Sequence, residues 1–251
     1  MEKKAKDNLL DKSLKIIQAF IDHNESWGVR ELAAHLDYTV PTTHRILLQL
    51  KEHSILDYDE HKNRYIVGTE LIRISAKVAS RSSLQSIARP FLKTLVKKYE
   101  ETICLLMLRK DTREIFWADK VNGPKPLQYI IPLGELQSLP YGSSGKSILA
   151  FLEEDVIDEI LKAEKFSEKE VDIIKKELIK IREERYHYSI SERLEGSSGI
   201  GSPIFNSDNE PIASIILTAP TPRVTNEVIE SASIDIKNTA KEISSILGAT
   251  K

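Results

Sequence analysis

Apolar residues recur at helical spacing three times in the first fifty positions, and the period then changes to two. Leu10, Leu14, Ile17 and Ile21 predict a helix over residues 10–20 that packs beneath two others. Val29, Leu32, Ala33 and Leu36 make the stripe of a second helix, which Asp37 and Tyr38 break. Thr39 stands at an N-cap position, and Pro41 lies just inside the next helix, where its missing N–H costs nothing. From that third helix Val40, Ile46, Leu47 and Leu50 are expected to face inward. Thr42, Thr43, Arg45 and Gln49 are then left toward the open side. Two short β-prone runs follow, residues 55–58 and 65–67, around the polar turn DEHKNR. Helix, tight break, helix and two-stranded hairpin are the order of a winged helix-turn-helix, a module that lays one helix in the DNA major groove.

Beyond the hairpin the pattern mixes strands and helices. Residues 69–78 predict a helix with Leu71, Ile72, Ala76 and Val78 partly apolar; it is too short and apolar to stand alone and is expected to pair with its copy in a second chain. Ser80–Ser83 reads as a hinge, with Pro90 opening the next helix. Residues 103–108 and 114–118 predict an antiparallel pair around RKDTR, and 200–205 and 212–217 a second pair around NSDNEP. Helices are expected over 148–152, 156–161, 171–181 and 229–247. The fold class is α+β: a winged helix-turn-helix over 6–68, a linker helix and hinge over 69–88, and a mixed domain over 89–251 with helices outside a mainly antiparallel sheet.

Composition narrows the chemistry. At 251 residues, 41% of them hydrophobic, the chain suffices for two ordinary domains. A net charge of −2 means that positive charge for nucleic acid must be placed locally. It is: from Tyr38 to Lys51 there is no acidic residue, and a carboxylate there would repel phosphate. The candidate DNA-contacting residues are Arg30, Thr39, Thr42, Thr43, His44, Arg45 and Gln49, with Lys62 and Arg64 at the hairpin tip. Hydroxyls and first-turn amides suit phosphates or base edges, and Arg45 suits a phosphate or a guanine. The single cysteine, Cys104, lies in the apolar run TICLLML, which excludes an internal disulfide framework and makes a buried thiol the expectation. No apolar run approaches the roughly 20 residues of a membrane span, and MEKKAKDNLLDKS lacks the core of a signal peptide, so a cytoplasmic protein is expected.

Three blocks carry a resemblance: VPTTHRILLQL with NRYIVG; ARPFLKTLVKKYEET; and IPLGELQSLPYGSSGKSILAF with GIGSPIFNSDNEPIASIILTAPTPRVT. In that order they resemble the IclR family of bacterial transcriptional regulators over nearly the full length. The resemblance implies a winged helix-turn-helix joined to a GAF-like effector-binding domain, operator binding as dimers or dimers of dimers, and control by a small metabolite. It implies no metal and no cofactor. It also places the turn Gly142–Gly145 at the border of the effector pocket, where free amides and the Ser143 and Ser144 hydroxyls are expected to hold a carboxylate or carbonyl just before a helix starting near Lys146. Carried over one position at a time, Tyr129 lines the cavity, Ser189 replaces an acid, Gly199 a cysteine, Ile216 a serine, and Thr218 another serine. The expectation is a less polar pocket for a larger effector, with its polar end at Ser143, Ser144 and Thr218 and its apolar body near Tyr129 and Ile216.

Enzyme readings are weaker. PYGSSGKS ends like a phosphate-binding loop, but Pro140 replaces the first glycine and no strongly apolar strand precedes it. No nucleophile elbow or paired metal-ligand cluster occurs. Five of the six histidines (His23, His35, His44, His53 and His61) lie in the first domain, and the lone His187 is expected to be a surface or satisfied side chain. Glu192 and Glu195 are expected to be solvated, or bonded within their turn.

Overall fold

A computed structural model describes residues 7–22, 26–81 and 83–250; His23 and Ser82 of the expected hinge lie outside them. The chain divides into two compact units, 1–82 and 83–251.

The first unit orders α1 (Leu9–Asp22), β1 (Ser26–Trp27), α2 (Val29–His35), α3 (Val40–Glu52), β2 (Leu56–Asp59), β3 (Arg64–Val67) and α4 (Thr69–Arg81). Ile16, Ala19 and Phe20 of α1 meet Leu32, Ile46, Leu47, Leu56 and Tyr65 in one core. That differs from the predicted stripe: Leu10, Leu14 and Ile21 are exposed, because the face centred on Ile16 and Phe20 is the one that meets α2 and α3. The break after α2 is a Schellman stop. Asp37 takes φ +55°, Tyr38 N–H donates to Ala33 O at 2.9 Å, and Asp37 N–H donates to Ala34 O at 3.4 Å. Ser54 repeats the device after α3, with φ +55° and Ile55 N–H on Leu50 O at 3.0 Å. The hairpin is the predicted one, but β1 adds a third strand to give the order β1-β3-β2. Two residues are too few to show a period, so the sequence pattern does not reveal β1.

The second unit orders α5 (Ser83–Tyr99), β4 (Thr102–Arg109), β5 (Glu114–Val121), β6 (Leu136–Ser138), α6 (Gly142–Leu149), α7 (Glu154–Ala163), α8 (Glu168–Glu184), β7 (His187–Ile190), β8 (Ser197–Phe205), β9 (Pro211–Pro220) and α9 (Asn226–Ile246). Its sheet has the order β6-β5-β4-β9-β8-β7 with every neighbouring pair antiparallel. Strand alternation sorts side chains to two cores. Ile103, Leu105, Ile215 and Leu217 face α5 and α9, whereas Cys104, Leu106 and Ile216 face α6, α7 and α8. Cys104 is fully buried, and burial pushes its thiol pKa up.

Three expectations change here. Pro90 lies inside α5 and does not open it, since Leu84 and Ala88 ahead of it are drawn onto the sheet by burial. The helix after the small-residue turn starts at Gly142, four residues before Lys146. β6 and β7 are additional edge strands of three and four residues.

Candidate DNA-contacting face and ligand cavity

In α3 the residues at the centre of the apolar stripe are Thr43, Ile46 and Leu47, all buried. Thr43 therefore does not lie on the open side. Its hydroxyl donates to Thr39 O at 3.2 Å, which is how a helix accommodates a buried threonine. Val40, expected to face inward, sits in the first turn ahead of the core and is 43% exposed. The exposed residues of α3 are Val40, Pro41, His44, Arg45, Leu48, Gln49, Lys51 and Glu52, with Thr39 exposed just before it, and Thr42 is half-buried. Thr39 occupies the N-cap position, but its side chain makes no capping bond; its hydroxyl donates to Thr42 Oγ1 at 2.9 Å. Arg30 is exposed on α2.

At the hairpin, Asp59 Oδ1 accepts the His61 and Lys62 amides at 3.0 and 3.1 Å, and Asn63 turns the chain at φ +55°. The Lys62 side chain projects from this tip, 72% exposed. Arg64 does not. Its guanidinium donates to Ser26 Oγ at 2.9 Å, Ser26 O at 2.8 Å and Glu31 Oε2 at 2.7 Å, so it binds β3 to β1 and α2. Ser26 and Glu31 hold its guanidinium against β1 and α2, so it does not project from the tip as expected.

The second unit encloses a cavity of about 270 Å³ between the start of α6, β8, β9 and the segment 129–137. Tyr129, Ser143, Ser144, Ser189, Gly199, Ile216 and Thr218, the seven residues singled out by position, all line it. Gly199 is there for space: a methyl group would overlap the Ser143 hydroxyl. Gly145 has the tighter constraint, since a methyl group there would overlap the Leu139 carbonyl oxygen.

The start of α6 is not an open set of amides. Gly142 N–H donates to Glu192 Oε2 at 3.1 Å and Ser143 N–H to Ser189 Oγ at 2.7 Å. Glu192, expected to be solvated or bonded within its turn, instead joins a partly buried network that reaches α8. Lys146, 6% exposed, places its Nζ 2.6 Å from Glu192 Oε2 and 2.7 Å from Glu177 Oε2 on α8. Burial opposes ionisation of Glu192, but His187 and Lys146 outweigh it and bring the carboxyl down to about 2. His187 is largely buried; its Nε2 lies 3.8 Å from Glu192 Oε1 and has no hydrogen-bond partner among the described residues. Because Lys146 is held between two carboxylates, it is not placed as a phosphate-binding lysine.

Arg193, which sequence reasoning passed over, also borders the cavity. Its guanidinium donates to Ser144 Oγ (3.2 Å), Gln137 Oε1 (2.9 Å), Ser138 O (2.8 Å) and Tyr141 O (2.7 Å), all uncharged acceptors. Burial pulls its pKa down to about 10, which leaves it protonated at neutral pH. The only signal in the sequence was a cation inside SERLEG. Trp117, Gln137 and Ser198, also lining the cavity, gave none.

Comparison with known proteins agrees with this architecture. Residues 9–60 match the IclR helix-turn-helix domain, and residues 76–245 match the C-terminal domain of bacterial IclR transcriptional regulators. The chain is 24% identical to the HTH-type transcriptional regulator KipR of Bacillus subtilis, across 98% of this chain and 99% of that protein. It is 21% identical to the transcriptional repressor IclR of Escherichia coli, across 96% and 90%. Among solved structures, an IclR regulator from Alicyclobacillus acidocaldarius superposes with a TM-score of 0.85 at 20% identity, covering 96% of this chain and 99% of that one. The Thermotoga maritima IclR superposes at 0.70 with 30% identity, covering 95% and 98%. With both units matched in order, the chain belongs to the IclR family of bacterial transcriptional regulators.

Proposed function

We propose that the chain is a cytoplasmic repressor that occupies operator DNA and whose grip is set by a small carboxylate or carbonyl metabolite in the α6 cavity. The observation that carries the DNA half is the solvent face of α3. His44, Arg45 and Gln49 present donors, Val40 and Leu48 present apolar surface suited to thymine methyl groups, and no carboxylate interrupts them before Glu52. Lys62 reaches for the adjacent backbone. Thr43 and Arg64 drop out of the contact set, because their polar groups are used internally. Repression is the sense given by the names of the Escherichia coli relatives IclR and AllR.

A single copy offers few cations, so specific affinity rests on two copies reading half-sites of a pseudo-palindrome. The apolar surface for pairing is present on α4, where Ile72 and Val78 are 58% and 61% exposed, and on α1 at Leu10 and Leu14. In the cavity the Ser144 and Thr218 hydroxyls and Arg193, whose guanidinium makes no ion pair among the described residues, suit an acid or carbonyl group, with Tyr129 and Ile216 against the apolar remainder.

The test is a mobility-shift titration of the DNA upstream of the protein's own gene, at several salt concentrations. Wild type should bind with affinity falling steeply as salt rises. Arg45→Ala should weaken binding about tenfold or more, whereas Lys62→Ala should mainly flatten the salt dependence. Equal affinity in Arg45→Ala would remove α3 from the interface.

A further inference from the structure

β7 pairs with β8 only from His187↔Gly201 to Ile190↔Ser198, so Ser202–Phe205, paired with β9 on one side, form an open edge on the β7 side. The end of α8 lies on one side of this edge and α9 on the other. A cleft of about 340 Å³ opens between them, near the lower end of small-molecule sites and sharing no residue with the α6 cavity.

The edge does not await another strand. Pro203 has no N–H, the Phe205 amide donates to Ser244 Oγ at 2.9 Å, and the Ser202 hydroxyl donates to Arg185 O at 2.6 Å. What remains is positive charge. The Arg185 guanidinium lies against the perpendicular rings of Phe151 and Phe205, 5.2 and 5.4 Å from their centroids. Among the described residues it makes no hydrogen bond to a protein acceptor. Lys237 and Lys241, one turn apart on α9, also border the cleft and have no ion pair among the described residues. Glu183 and Glu184 also border the cleft, and Glu184 lies 3.7 Å from Lys180. Three cations against two carboxylates favour a guest with one negative charge over one with two.

We infer that this cleft is a second ligand site, which takes a small planar monocarboxylate on Arg185 and Lys237 with its apolar body against Phe205 and Pro203. A guanidinium without a protein acceptor among the described residues can match a carboxylate by paired N–H···O bonds, and the apolar floor selects a flat body over a bare ion.

Isothermal titration of the full chain with benzoate, phenyl phosphate and the neutral benzamide tests this. Benzoate should bind saturably, more tightly than phenyl phosphate, and benzamide should not bind. The double variant Lys237→Gln/Lys241→Gln, at positions without protein partners, should weaken benzoate about tenfold. Thr218→Phe, which narrows the α6 cavity, should leave benzoate unchanged. Absence of benzoate binding, tighter binding of phenyl phosphate, or loss in Thr218→Phe with retention in the lysine double variant would each overturn the assignment, the last by moving the acid to the α6 cavity.

Discussion

Replacing Glu192 with glutamine removes the charge that joins the floor of the α6 cavity to α8. The carboxylate holds Lys146 at 2.6 Å, the Gly142 amide at 3.1 Å and His187 at 3.8 Å. Its pKa falls from the ordinary 4.5 to about 2. At about 1.36 kcal/mol per tenfold, that drop corresponds to a ceiling of about 3 kcal/mol. Three effects reduce it: solvent reaches Glu192 and screens its charge, Lys146 keeps Glu177 at 2.7 Å in the variant, and the amide oxygen of glutamine still accepts from Gly142. A loss of about 1–2 kcal/mol at pH 7 is expected. The sign of the pH dependence follows from the lowered pKa. The stabilisation is fully present above about pH 4.5, shrinks as pH falls, and vanishes below about 2, so the gap between wild type and variant should be about half its neutral value near pH 3. Each unit has one tryptophan, Trp27 in the first and Trp117 in the second. In a Trp27→Phe background, urea unfolding followed by Trp117 fluorescence reports the second unit alone. A gap that stays constant from pH 7 to pH 3, or one below about 0.5 kcal/mol at pH 7, would refute the reasoning.

Two further outcomes follow from the geometry. Gly145→Ala should destabilise the second unit by about 2 kcal/mol or more in the same urea assay, because the added methyl meets the Leu139 backbone carbonyl and not a side chain that can move; wild-type stability in that variant would contradict the close approach. Thr43→Val should leave operator affinity within about twofold of wild type in mobility shifts, because Thr43 is buried and its hydroxyl is used by Thr39 O; a large drop would put Thr43 back on the DNA.

The elements with a sustained period were legible in the sequence: the helix pair and hairpin of the first unit, the strand pairs β4/β5 and β8/β9, and α9. What was not legible was short or depended on a partner. β1, β6 and β7 run two to four residues and owe their existence to a neighbouring edge. The rotation of α1 is not fixed by spacing, because Leu10, Leu14 and Ile21 keep helical spacing as well as Ile16 and Phe20 do. Spacing alone cannot say which of two apolar stripes meets the core, and the second stripe remains exposed. Thr43 was misassigned through its chemistry, although it sits three and four residues before Ile46 and Leu47, in the middle of the buried stripe.

The cavity teaches the complementary lesson. Its seven residues were found by position, but their interactions were not, because these depend on Glu192 and Arg193, which reach the cavity from a loop about fifty residues further along the chain. Once those two are in place, the start of α6 is no longer a ready anion cradle. An acceptor that sought the Gly142 or Ser143 amide would have to displace Glu192 or Ser189 first. A guest that leaves both caps intact has hydroxyls and the Arg193 charge to recognise it; one that displaces Glu192 also frees one of the two partners of Lys146, whose other partner is Glu177 on α8. The two kinds of guest therefore differ in whether they touch a network that reaches beyond the cavity. By linkage, only a guest with different affinities for two states of that network can shift the balance between them.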